Sequence, residues 1–182
     1  MSPAAVPSDE DNDELLLSCR YGDLDDVKQF VEKFGADRLT DVRDGGGNTA
    51  LHMVCANGHI DVLDYLLPII TPSLLSAQND AKSTPLHWAA LNSHLSVAQK
   101  LVQFSGGPGI DLIDIKNAAG RSPLGEAENV GWEEGAKWFV EVMNLEDGKG
   151  EDDVSAEGPA NIEVEIQDAE GQVAKMKIAP PQ

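Results

Sequence analysis

The sequence predicts an all-α fold, a solenoid of about four helix-turn-helix units stacked one on the next. Three observations lead there. Leucines at 15, 51, 86 and 124 head four similar segments spaced 36, 35 and 38 residues apart, and self-similarity at such a period marks a repeat array. Helix start and stop signals recur at fixed offsets from those leucines. Hydrophobic residues make up 41% of the chain but aromatics only 5%, a supply of small aliphatic side chains that suits thin layers of helices.

The segments justify themselves in order. The first copy runs Leu15-Leu16-Leu17-Ser18-Cys19-Arg20-Tyr21-Gly22-Asp23-Leu24 and continues through Val27, Phe30 and Val31. In the second, Asn48-Thr49-Ala50-Leu51-His52 leads to Ala56-Asn57-Gly58-His59-Ile60 and then Leu63 to Leu67. The third has Ser83-Thr84-Pro85-Leu86-His87-Trp88-Ala89-Ala90, Asn92-Ser93-His94-Leu95 and Lys100-Leu101-Val102. The fourth is worn: Arg121-Ser122-Pro123-Leu124-Gly125, Glu128-Asn129-Val130-Gly131 and Trp138-Phe139-Val140. Thr49 and Thr84 stand where a helix begins, and Pro85 and Pro123 suit a first helical position, where no N–H is needed. Gly22, Gly58 and Gly131 sit where the first helix ends and the chain turns. Val62, Leu63, Leu66 and Leu67 give the second helix its apolar stripe.

This pattern resembles the ankyrin repeat, with its Thr-Pro-Leu-His-x-Ala signature and period near 33. The match covers about Leu15 to Val142. Every spacing exceeds that period, which places extra residues in surface loops over Phe34 to Asp44, Ile69 to Ala77 and Ser105 to Ile113, where added length costs little. The first and last copies deviate as terminal repeats do. The expected organisation is an acidic arm over 1–12, repeats over 13–144 and an acidic tail over 145–182.

Acidic residues dominate the charge: 32 Asp and Glu against 13 Lys and Arg, a net charge of −19. Nucleic acid is repelled by such a surface, whereas a basic protein is attracted. No apolar run reaches the length a membrane span requires, and the Met1-Ser2-Pro3 start resembles no targeting signal. A protein of the cytoplasm and nucleus, monomeric on its own, is the expectation.

The chemistry of an enzyme is not visible. His52, His59, His87 and His94 all fall on repeat positions, where the resemblance implies hydrogen bonds to loop backbone, and no zinc-ligand spacing occurs among them. Cys19 and Cys55 occupy equivalent small helix positions in neighbouring repeats, roughly 10 Å apart, beyond the roughly 7 Å reach of a disulfide. Both read as reduced, packed thiols. Gly45-Gly46-Gly47 precedes a repeat and reads as a turn. No catalytic, cofactor-binding or metal-binding residue is assigned.

The tail has its own pattern. Residues Glu146 to Gly158 are rich in Glu, Asp and Gly, the composition of a disordered stretch. Alternation then returns over 161–178. With Ala169-Glu170-Gly171 as the loop, Glu165 faces Lys175, Glu163 faces Lys177, Val164 pairs with Met176 and Ile162 with Ile178. A lone hairpin is marginal in water, so it packs on the repeats, adds to a partner or flickers. Asp9 to Glu14 reads as an acidic arm or as the carboxylate-rich start of a helix.

Closer features narrow the resemblance: the acidic start, the run from Leu15 to Asp25, the Thr49 to Met53 copy, the Leu86 to Ala89 copy, and Glu126-Ala127-Glu128-Asn129 in the last repeat. These are similar to the fungal ankyrin-repeat chaperones of small-subunit ribosomal protein three. The resemblance implies a dedicated chaperone that shields this basic protein before ribosome assembly. A general ankyrin adaptor or inhibitor of a signalling or transcription protein is the alternative. In either, the resemblance implies a partner along the exposed side of the first helices and the hairpin tips. The first-helix candidates are Arg20 and Tyr21, Ala56 and Asn57, Leu91 and Asn92, and Asn129 and Val130, with Trp88 alongside. The tip candidates are Asp44, Asn48, Asp80 and Arg121, and Trp132 closes the end. Trp88 has core packing as its other reading, and Asp44 and Asp80 equally suit caps of their own turns.

Overall fold

The computed structural model describes residues 6–147 and the backbone of two strands at 163–167 and 173–177. The chain divides into two units, Met1–Glu146 and Asp147–Gln182.

Within the first unit, four helix pairs follow the four leucines: α1 (Asp9–Tyr21) with α2 (Leu24–Phe34), α3 (Ala50–Asn57) with α4 (Ile60–Leu66), α5 (Pro85–Leu91) with α6 (Leu95–Gln103), and α8 (Pro123–Asn129) with α9 (Glu133–Asp147). A single turn, α7 (Asp111–Asp114), precedes the last pair. The first helices stack in sequence, α1 on α3, α3 on α5 and α5 on α8. Leu15, Leu51 and Leu86 are buried between them, and Leu124 is half-buried at the end.

Local chemistry sets the boundaries. Helix α1 starts at Asp9, inside the stretch expected to be an arm. Ser8 caps it: its Oγ accepts from Asp11 N–H, and Asp11 Oδ2 accepts in return from Ser8 N–H at 2.9 Å. Those hydrogen bonds hold the Asp11 carboxyl down to about 2, with help from Lys33. Asp9, Glu10 and Asp11 thus lie in the first turn, where the helix dipole favours them. Gly22 and Gly58 end α1 and α3 in the left-handed region, at φ 79° and 76°. A Cβ on Gly22 would meet the His59 ring at 2.5 Å, and one on Gly58 the His94 ring at 2.8 Å. These two helices therefore stop at a glycine partly because a histidine of the next repeat lies on it.

The insertions are not the bare surface loops expected. Two 3-10 turns, Ala36–Thr40 and Pro72–Ser76, and helix α7 occupy them. Leu39, Leu74, Leu75, Leu112 and Ile113 from these segments are buried in the core. The extra residues thus add hydrophobic plugs to the stack, each worth on the order of 2 kcal/mol of burial.

In the second unit, β1 (Glu163–Gln167) pairs antiparallel with β2 (Val173–Lys177). The register sets Glu163 opposite Lys177, Val164 opposite Met176 and Glu165 opposite Lys175, as the alternation predicts. The expected loop at Ala169–Gly171, the Ile162–Ile178 pair and the acidic stretch after Asp147 lie outside the described residues.

Candidate functional site

The frame of the site is a ledge of hairpin tips beside the first helices. Asp44 makes its own turn: Oδ1 accepts from Gly46 and Asn48 N–H, both at 2.8 Å, and Oδ2 accepts from Asn48 Nδ2 at 2.9 Å. Burial pushes the Asp44 carboxyl up, but these bonds outweigh it and hold the group below its usual value. Asn79 and Asn117 hold the same place in the next two tips, accepting from Ser83 N–H and Arg121 N–H. The tips then join sideways. Asp80 N–H donates to Gly46 O at 3.0 Å, Ala118 N–H to Ala81 O at 2.8 Å, and Asn79 Nδ2 to Asn48 Oδ1 at 2.7 Å.

Beneath the ledge, histidines tie each repeat to its neighbour. His52 Nδ1 accepts from Thr49 N–H at 3.1 Å, and its Nε2 donates to Ser83 O at 2.9 Å. His87 repeats this with Thr84 at 3.1 Å and Arg121 O at 3.0 Å. His59 and His94 reach backwards, donating through Nε2 to Arg20 O at 2.9 Å and Ala56 O at 3.1 Å. All four histidines bind loop or helix-end backbone, as the resemblance implied. Burial lowers the His52 imidazole to about 4 and pushes His87 in the same direction. Both are neutral structural groups at pH 7. Cys19 and Cys55 are free and buried; burial pushes the Cys19 thiol up to about 12, and raises that of Cys55.

On this frame the structure gathers Arg20, Asp44, Asn48, Met53, Ala56, Asn57, Trp88 and Asn92 around one concavity. The half-buried Trp88 ring stands edge-on to His52, centroids 5.7 Å apart, so it belongs both to the packing and to the surface. Asn57 and Asn92 donate to the carbonyls of Met53 and Trp88, each at 2.9 Å, which fixes them along their helices. Tyr21, at 75% exposure, and Leu91, at 37%, are open apolar surface at the ends of α1 and α5. Asp80, Asn129 and Val130 are also exposed and lie outside the concavity. Arg121 is exposed, but its Nε is engaged by Glu126 Oε1 at 3.0 Å.

One candidate is misplaced. Trp132 is buried, not a surface closure: its ring packs edge-on to Phe139 at 6.3 Å and lies over Gly135, where any Cβ would collide with it. Two residues were overlooked. Leu17, at 51% exposure, and Met53, which lines the concavity, stand two residues past their repeat leucines, the place Trp88 takes in α5. That offset was readable in the sequence. Among the described residues, no group of three or more His, Cys, Asp or Glu could hold a metal ion, and no helix is long and apolar enough to cross a membrane.

Comparison with known proteins agrees with this architecture. A profile of ankyrin repeats in three copies matches residues 15–114. The chain is 31% identical over 166 residues to the ankyrin repeat-containing protein YAR1 of Saccharomyces cerevisiae, covering 85% of this chain and 80% of that protein. It is 31% identical over 118 residues to the ankyrin repeat-containing protein P16F5.05c of Schizosaccharomyces pombe, covering 65% and 76%. Among solved structures, it is similar to a chain in the crystal structure of the yeast ribosomal protein Rps3 in complex with its chaperone Yar1. That likeness has a TM-score of 0.69 and 29% identity, over 84% of this chain and all of the other. With the stacked helix pairs, the histidine ties and these matches together, the chain belongs to the ankyrin-repeat family.

Proposed function

We propose that this protein is a dedicated chaperone that binds and shields Rps3, a basic protein of the small ribosomal subunit, before ribosome assembly, in the cytoplasm and nucleus. The observation that carries the reading is the likeness, over 84% of the chain, to a structure whose subject is Rps3 with its chaperone Yar1. The net charge of −19 supports it, since a free ribosomal protein presents Lys and Arg surfaces made for RNA. The protein acts by holding its partner and performs no catalysis of its own.

The binding surface in this reading is the concavity and its margins. Trp88, Met53, Leu91 and Tyr21 supply apolar contact, Asn57, Asn92 and Asn129 polar contact, and Asp44 and Asp80 the acidic rim. Buried anchors set the lifetime of such a complex and rim charges its rate of formation. The test is binding kinetics with purified Rps3. Asp80→Lys is expected to slow association and flatten its salt dependence. Leu91→Glu is expected to speed dissociation at least tenfold with an unchanged circular-dichroism spectrum. No binding of the wild-type chain to Rps3 at low salt rejects the chaperone reading; binding with neither variant effect moves the site off this surface.

A further inference from the structure

Two residues past each repeat leucine, the first helices present Leu17, Met53, Trp88 and Glu126 in turn. Three of the four are apolar and open to solvent in part, whereas Glu126 is only 2% exposed. Its carboxylate is half-satisfied. Asn117 Nδ2 at 2.6 Å and Arg121 Nε at 3.0 Å both donate to Oε1. Oε2 is buried and has no hydrogen-bond partner among the described residues. A buried charged oxygen left without a donor is costly, and a donor that reaches it recovers that cost. The covering group, Arg121, is itself 44% exposed and stands on the last hairpin tip, so it can swing aside without disturbing a helix.

We propose that Glu126 is a cation-recognition residue of the binding surface: an Arg or Lys of the partner donates to Oε2 while its apolar neighbours lie over Trp88 and Met53. This rests on the reading of the chain as a binder of a basic protein and adds what part of that protein it selects. First helices of adjacent repeats pack roughly 8–10 Å apart. A helical partner rising about 1.5 Å per residue therefore needs its basic residue about five to seven positions from the side chain that covers Trp88. A spacing of that kind is a sequence filter, which the diffuse acidic charge of the chain is not.

The experiment is titration calorimetry of the full chain with purified Rps3, for wild type, Glu126→Gln and, as a control, Glu128→Gln at an exposed position on the same helix. Glu126→Gln keeps an acceptor for Asn117 and removes the charge. It is expected to weaken binding tenfold or more and to reduce the salt dependence, with Glu128→Gln within about threefold of wild type. Equal affinity of Glu126→Gln and wild type overturns the proposal, because solvent then satisfies Oε2, and leaves the chaperone reading standing. Failure of wild type to bind removes both. Should Glu126→Gln unfold, the wild-type chain is titrated with Rps3 carrying single Lys→Ala and Arg→Ala replacements. One of these must cost about tenfold, and if none does the proposal falls.

Discussion

In the second and third repeats the polar start of the first helix is held by a neutral relay: threonine to histidine, and histidine to a carbonyl of the next repeat. Among the described residues the fourth repeat has no next repeat to reach. Gly125 stands in the histidine position, Ser122 caps the helix through Gly125 N–H at 3.2 Å, and Arg121, Asn117 and Glu126 form an ionic cluster instead. Stacked neighbours let a buried polar group be paired without charge. The terminal repeat pairs its own with charges, and leaves Glu126 Oε2 unpaired among the described residues. The difference identifies stacking, not motif identity, as what makes the repeat signature useful.

The largest expected effect tests this directly. Leu86 is fully buried between neighbours on both sides, so Leu86→Ala is expected to cost about 2–5 kcal/mol. The half-buried Leu124, at the end, is expected to lose less than half as much. Guanidinium denaturation of the two variants checks the ratio. Equal losses would mean that the last repeat is supported as fully as the middle ones.

The histidine relay makes a second, smaller difference. His52 is neutral in the fold with its pKa lowered from 6.5 to about 4, and His87 is shifted the same way. In the unfolded chain both titrate near 6.5. The unfolded state therefore binds more protons below that pH, so stability is complete above it and falls as pH drops toward 4. For His52 alone the loss across this window is about 3 kcal/mol. Denaturation at pH 7 and pH 4.5 should show the fall, and His52→Gln should shrink it. An undiminished fall in the variant assigns the titration to other groups.

Legibility in the sequence followed the same division. The four helix pairs and the hairpin register were readable because each rests on a fixed spacing, the leucine period and strict alternation, and the histidine ties were readable through the family resemblance. The plugs Leu39, Leu74, Leu75, Leu112 and Ile113 were not readable. Short apolar pairs inside an insertion carry no period, and only the stack shows that they have a core to enter. Trp132 misled for a related reason. It holds the place of His59 and His94, but its indole packs into the core against Phe139 instead of reaching back to the end of the preceding first helix. The start of α1 at Asp9 stayed open between two readings, because Asp9 to Glu14 serves equally as an acidic arm and as the carboxylate-rich start of a helix, until Ser8 and Asp11 are seen to pair. Within the candidate surface, offsets of five and six from the repeat leucine found Arg20, Asn57 and Asn92, whereas the offset of two was followed only at Trp88.

The smallest expected effect sharpens the comparison at a single turn. Gly22 and Gly58 end their helices under the rings of His59 and His94, but the same position in the third repeat is Ser93, at φ 60°. A serine is strained there by about 1 kcal/mol relative to glycine. It is tolerated because the residue that would lie on it, by analogy with His59 on Gly22, is Trp132, whose ring turns instead onto Gly135 and Phe139. Ser93→Gly removes the strain, while the greater freedom of glycine in the unfolded chain takes back part of the gain. The net stabilisation is about 0.5 kcal/mol, a rise of about 1–2 °C in Tm. Gly58→Ser meets both the strained φ and the His94 ring at 2.8 Å, and is expected to cost about 2 kcal/mol or more. Thermal melts of the two variants in parallel should give opposite signs, and a loss at Gly58→Ser well beyond the roughly 1 kcal/mol of backbone strain marks the histidine of the next repeat as what demands glycine. Were Gly58→Ser to cost no more than backbone strain alone, the ring contact would be incidental, and the glycines would answer only to the left-handed turn.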